Sequence, residues 1–315
     1  MKPKEILVFG ASGQIGRHLI RKLTKNNYKV IAVTRNIHQK GYILKTQANP
    51  GYLEIVELSS FDPEKINSLI KECNVCINLI GILFEKKKNQ FKNIHTELPA
   101  LLSKLANKNK LEQFVHVSAL GIEKATDSKY ATSKINGENV VKENFNKSVI
   151  LKPSIVYSVD DNFSTNFLSL LNKLPIMPLY YEGKTNFTPI HVTDMALIIY
   201  EIVKRKIVGE TIECVGPQVL SFKDIILTLL NSIDKKKILI PTPLFIAKIT
   251  AKIFEKMPKP LITTDQLTLL KYENVVSKKY KTNLDFGINA NKTFEKEIKK
   301  YSFNWKTGGQ FSKNI

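Results

Sequence analysis

Arginine is almost missing from this sequence. Of its 48 Lys and Arg residues only four are arginine, at positions 17, 21, 35 and 205. Cysteine is nearly as scarce: Cys73, Cys76 and Cys214 are too few for a disulfide framework and fit a reducing compartment. Cys73 and Cys76 have redox or zinc spacing, but they run straight into an apolar segment with no second Cys or His pair nearby. Core packing is therefore the expected role and no metal site is expected. No stretch reaches the roughly 20 apolar residues of a membrane-spanning helix. The chain enters a strand almost at once, so no signal or transit peptide is expected and cytoplasmic residence is the default. Acidic residues are also short: 28 Asp and Glu leave a formal charge of +20. Such a charge suits an anionic partner. The excess is lysine in a chain also rich in Asn and Ile, and no basic patch is interleaved with aromatics. Nucleic-acid binding is not expected.

What is present is globular: 315 residues, 43% hydrophobic and 9% aromatic, enough for one large or two unequal domains. The chain is organised around its start. Ile6 to Phe9 form a short apolar run, as a strand buried on both faces should. Gly10, Gly13 and Gly16 then punctuate a turn, and Ile15, Leu19, Ile20 and Leu23 take helical spacing. Strand, glycine turn and helix together make a dinucleotide cradle, in which Gly10, Ser12, Gly13, Gln14, Ile15 and Gly16 are the expected pyrophosphate-binding positions.

Further strands are expected at 28–34, 52–58, 75–80, 114–117 and from 149 onward, alternating with helices. This predicts an α/β fold, a doubly wound parallel Rossmann sheet with a smaller C-terminal lobe. The expected division is a nucleotide-binding domain over 1–160 with later returns near 186–217, a smaller lobe over 161–280, and a docking tail over 281–315. Residues 174–183 read as a proline-punctuated loop, and about 94–107 as one helix. Arg35 ends the second strand, where an acidic residue would hold the ribose hydroxyl of NAD and an arginine favours the 2′-phosphate of NADP. NADP(H) is thus the preferred expectation, with NAD(H) the alternative. Gly81, after the fourth strand, allows close approach of a cofactor. Ser118 ends the fifth strand, and Tyr130 and Lys134 share one face of the helix that follows. The segment 243–256 sets Lys248, Lys252 and Lys256 along one stripe of a short apolar helix, a candidate for peripheral membrane contact or for packing on its own core.

The glycine turn, Ser118, Tyr130-x-x-x-Lys134, Leu151-Lys-Pro-Ser-Ile-Val-Tyr157 and His191-Val-Thr-Asp-Met-Ala196 fall in the order of the short-chain dehydrogenase/reductase superfamily, extended or atypical branch, which the sequence resembles. The resemblance implies Tyr130 as general acid/base, Lys134 lowering its pKa and holding the nicotinamide ribose, Ser118 orienting the substrate oxygen, and Pro153 beside the cofactor. His95 stands where many extended members have asparagine, and Glu57 replaces the usual aspartate near the adenine. Asn78 to Glu85, the helix after Pro241, the 261–276 segment and the Trp305 to Phe311 ending are similar to a narrower group. That group is the Rossmann-type NAD(P)H-binding accessory subunit of respiratory complex I and its alphaproteobacterial relatives. It implies a peripheral subunit on the complex I peripheral arm, at the cytoplasmic face of the inner membrane in a bacterium, whose cofactor serves structure or assembly. The other readings are a free NAD(P)-dependent reductase or epimerase/dehydratase using the Ser-Tyr-Lys set, and an NADP(H)-sensing regulatory protein.

Overall fold

Ile6, Leu7, Val8 and Phe9 have no solvent exposure, and alternate residues serve different helix layers. The computed structural model describes residues 5–255, 257, 260 and 262–311. Six strands come first: β1 (Glu5–Phe9), β2 (Lys29–Thr34), β3 (Leu53–Glu57), β4 (Val75–Asn78), β5 (Gln113–Val117) and β6 (Ser148–Pro153). They are joined by α1 (Gln14–Thr24), α2 (Ile37–Lys45), α3 (Pro63–Lys71), α4 (Leu98–Lys108) and α5 (Lys129–Asn144). The strands at Thr211–Cys214 and Lys281–Thr282 extend the sheet, giving the order 281–282, 211–214, β6, β5, β4, β1, β2, β3, with every pair parallel.

Ile6 and Val8 pack with Leu19, Ile20 and Leu23 of α1 and with α7 (Val192–Lys204). Leu7 and Phe9 pack with Ile66 and Ile70 of α3 and with Leu98 and Leu102 of α4. Period-2 alternation on buried strands thus builds three layers. Helix starts are set locally. Asn36 caps α2, Asp62 with Pro63 opens α3, and Ser128 caps α5.

The smaller lobe gathers α6 (Ser164–Lys173), α8 (Phe222–Ser232), α9 (Leu244–Phe254), α10 (Thr264–Leu269) and α11 (Phe294–Lys299). Its core holds Leu168, Met177, Phe222, Ile226, Phe294 and Ile298.

Four expectations change. The loop expected over 174–183 contains the strand Ile176–Leu179, paired in parallel with Ile238–Pro241. Pro178 and Pro241 are accommodated because this ribbon has only two strands, and each therefore has a free edge. The helix expected near 94–107 is a π-helix, Lys92–Glu97, running into α4. The fourth strand stops at Asn78 because its side chain accepts from the Ile80 N–H, bending the chain away from the ladder. Residues 281–315 are more than a docking tail: Lys281–Thr282 completes the main sheet, while Phe294, Ile298 and Tyr301 sit in the lobe core. The main sheet therefore draws on residues well beyond 160. Lys256, expected on the lysine stripe, lies outside the described residues.

Candidate functional site

The strand order reverses between β1 and β4, and the crevice at their C-terminal ends is where an open parallel sheet binds its ligand. Gly10 turns there with φ +78°, and a Cβ on it would lie 3.1 Å from the Leu79 carbonyl carbon. A Cβ on Gly16 would lie 2.4 Å from the Ala11 carbonyl oxygen, so glycine is what lets α1 approach the turn. Gly13 is the N-cap of α1 and supplies no side-chain acceptor, which leaves the first-turn N–H groups for an external anion. The residues fit a pyrophosphate. The side chains of this first turn are tied across the crevice: Gln14 Nε2 donates to Ser158 Oγ (2.9 Å) and the Val156 carbonyl (3.3 Å), and Arg17 pairs with Asp160.

Arg35 follows β2, is exposed, and has no ion pair or hydrogen bond to another described residue. Behind it the β2–α2 turn is braced, because Glu57 at the end of β3 accepts from the Ile37 N–H at 2.6 Å.

At the other end of the crevice, Lys134 is 4% exposed and its Nζ donates to the Val117 carbonyl at 3.1 Å. A Cβ on Gly81 would lie 3.3 Å from that Nζ and 3.8 Å from His95 Nε2. Burial pulls the Lys134 amine down to about 8, with Glu138 opposing and Lys152 adding to the shift. His95 Nε2 accepts from the Ile82 N–H (3.1 Å), so the ring proton sits on Nδ1, beside Ser133 Oγ at 2.8 Å. Burial, then Lys134, holds this imidazole near 3 and therefore neutral. The π-helix presents His95 stacked on Phe91 (5.3 Å between centroids) and edge-on to Tyr130 (5.4 Å).

The three expected catalytic residues are not brought together as a free set. Tyr130 and Lys134 share the inner face of α5, and no described residue hydrogen-bonds the Tyr130 hydroxyl. Ser118 is 4% exposed and its hydroxyl donates to Glu138 Oε1 at 2.5 Å. The same carboxylate pairs with Lys152 at 2.7 Å, and Lys152 also meets Glu123 at 2.7 Å. Ser118 thus anchors α5 to the sheet instead of presenting a free donor for a substrate oxygen. The described surroundings of Tyr130 act on its hydroxyl against ionisation. Burial and the Asp265 carboxylate push its phenol above the ordinary tyrosine value. Asp265, from α10, accepts from the Lys129 N–H (2.7 Å), the Tyr130 N–H (3.0 Å) and the Ser128 hydroxyl (3.0 Å). Pro153 ends β6, and its carbonyl accepts from the Leu120 N–H at 2.9 Å. Cys73 and Cys76 are buried in the core, which drives the Cys73 thiol up to about 12.

A family model for the NAD dependent epimerase/dehydratase family matches residues 6–214, which is β1 through the strand at 211–214. The chain belongs to that family. A nicotinamide nucleotide is the cofactor that the family's description carries. The mitochondrial 40 kDa subunit of NADH-ubiquinone oxidoreductase from Neurospora crassa is 24% identical over 283 residues, covering 89% of this chain and 74% of that protein. A ceramide reductase from Caulobacter vibrioides is 23% identical, covering 65% and 62%. Among solved structures, dTDP-glucose 4,6-dehydratase from Bacillus anthracis in complex with NAD has a TM-score of 0.71 at 16% identity, over 96% of each chain, which shows the shared fold.

Sequence reasoning missed Asp265 and Glu138. Glu138 had a signal, since it lies one helical turn beyond Lys134 on α5. Asp265 had none, standing 135 residues from the backbone N–H it meets.

Proposed function

We propose that the chain is an accessory or assembly subunit of a complex I-type respiratory complex that holds NADP(H) mainly for structure, at the membrane housing that complex. The observation that carries this reading is the reach of the likeness to the complex I subunit. It spans 89% of the chain and so takes in the smaller lobe as well as the nucleotide domain. Two features of the site support it. Ser118 is spent on Glu138, and Asp265 holds the Tyr130 end of α5 against the lobe, so the site favours retention of a nucleotide over turnover. When the chain is purified from its native membrane with a mild detergent, complex I subunits should accompany it and NADPH should be released on denaturation. Recovery as a free protein with an empty site would sink the reading.

A second reading is an NAD(P)H-dependent carbonyl reductase. It is favoured by the Tyr130 hydroxyl, which no described residue hydrogen-bonds, by Lys134 one turn further along α5, and by the likeness to a ceramide reductase. The nucleotide would supply hydride. Tyr130 would deliver the proton to the carbonyl oxygen, and Lys134 would hold the ribose. Turnover of a long-chain ketone that falls at least a hundredfold in Tyr130→Phe, with NADPH affinity unchanged, would support this reading. Undiminished turnover in the variant would remove it.

A further inference from the structure

Helix α9 is inside out. Its small residues Ala247 and Ala251 are 1% and 0% exposed, whereas Phe245, Ile249 and Ile253 are 66%, 56% and 59% exposed. A helix covering its own core buries its large apolar residues and shows its small or polar ones. At 3.6 residues per turn, Phe245, Ile249 and Ile253 form one outward stripe, with Lys248 and Lys252 alongside it. The strand leading into the helix adds Ile238 and Ile240, 64% and 43% exposed. From Lys236 to Phe254 there are four lysines and no acidic residue. Of the 18 large hydrophobics exposed among the described residues, eight fall between 238 and 257. That concentration is too local to be ordinary surface scatter.

We propose that this face, α9 with the Ile238–Pro241 strand, docks on an anionic bilayer surface, with the apolar stripe seated among the acyl chains and Lys248 and Lys252 reaching the headgroups. The charge pattern selects this occupant. In a symmetric dimer the same patch would meet itself, setting its lysines against each other; the nearest acid, Glu255 at the end of the helix, already accepts from the Thr264 N–H and hydroxyl. Negatively charged lipid offers both things the face presents for: hydrocarbon to the stripe and anionic charge to the flanking ammonium groups. No helix among the described residues is long and apolar enough to cross a membrane, so the helix lies on the surface. The proposal does not depend on the nucleotide or on complex I, and the purified chain tests it alone.

The measurement is co-sedimentation of the full chain with vesicles of phosphatidylcholine alone and with vesicles carrying about one-quarter phosphatidylglycerol. Binding is expected to the anionic vesicles only, weakening as salt rises. Lys248→Gln with Lys252→Gln should lower the partition roughly 30-fold, at about 1 kcal/mol per lysine near the surface. Phe245→Ser with Ile249→Ser should lower it at least tenfold. Both pairs are exposed, so unchanged melting temperatures serve as the folding control. Absence of binding at low salt, or equal binding by wild type and both double variants, would overturn the proposal. So would a concentration-dependent dimer abolished by Phe245→Ser with Ile249→Ser in a chain that ignores vesicles, which would assign the face to a second copy. Capture of the face by a protein subunit without any vesicle binding would overturn it equally.

Discussion

Lys134→Met is expected to melt higher than the wild-type chain at pH 7 while losing its hold on the nucleotide. The amine is held at about 8, against an ordinary value of 10.5, by burial beneath Gly81 and beside His95. Keeping it charged below pH 8 therefore costs the folded state about 3 kcal/mol, since each pKa unit is worth about 1.4 kcal/mol. Methionine keeps the packed stem and removes the charge. It also leaves the Val117 carbonyl without its donor, at about 1 kcal/mol, so the net gain is about 2 kcal/mol. The melting temperature should rise by roughly 3 °C in a chain of this size. The sign with pH follows from proton counts. Between about 8 and 10.5 the unfolded chain binds the Lys134 proton and the folded chain does not, so this group makes wild-type stability rise with pH across that window. The variant lacks that rise. Calorimetric scans at pH 7 and pH 9.5, with NADPH titrated into each protein, measure all three effects. A variant less stable than wild type at pH 7 would show that the amine is not the strained element the geometry describes.

Arg35→Glu is expected to cost NADPH ten- to a hundredfold in affinity and NADH little. A charge-assisted hydrogen bond to phosphate is worth about 1.5–3 kcal/mol, and the new carboxylate would add repulsion. The side chain is exposed, and no described partner needs it, so stability should be untouched. Isothermal titration with both nucleotides decides the matter. A parallel loss for both would place Arg35 on something common to them, and no loss for either would remove it from the site.

The parts of the molecule that were legible in the sequence are those that depend on near neighbours. Ile6 to Phe9, Gly10, Gly13, Gly16 and α1 form a contiguous unit whose periodicity and turn chemistry are complete within twenty residues. The π-helix around His95 was hidden because its residues also satisfy an α-helical pattern; its extra residue shows only once α5 packs against it. There Gly137 lets the helices touch, since a Cβ would lie 1.9 Å from the His95 carbonyl oxygen. The Ile176–Leu179 strand was hidden because its partner lies some sixty residues on and its proline reads locally as a loop. Ser118 misled for another reason. Its position at a strand end was legible, but the direction of its hydroxyl depends on Glu138 and on the burial of Lys152 behind it.

The last strand of the main sheet, Lys281–Thr282, has consequences for the order of synthesis. It borders the strand at 211–214, which borders β6. A ribosome making this chain releases β1 to β6 early, yet the sheet keeps an open parallel edge until nearly every residue has emerged. The nucleotide domain therefore cannot finish before the smaller lobe, and the two mature as one unit. Removing the residues from 281 onward would both shorten the lobe and reopen the sheet that carries the glycine turn.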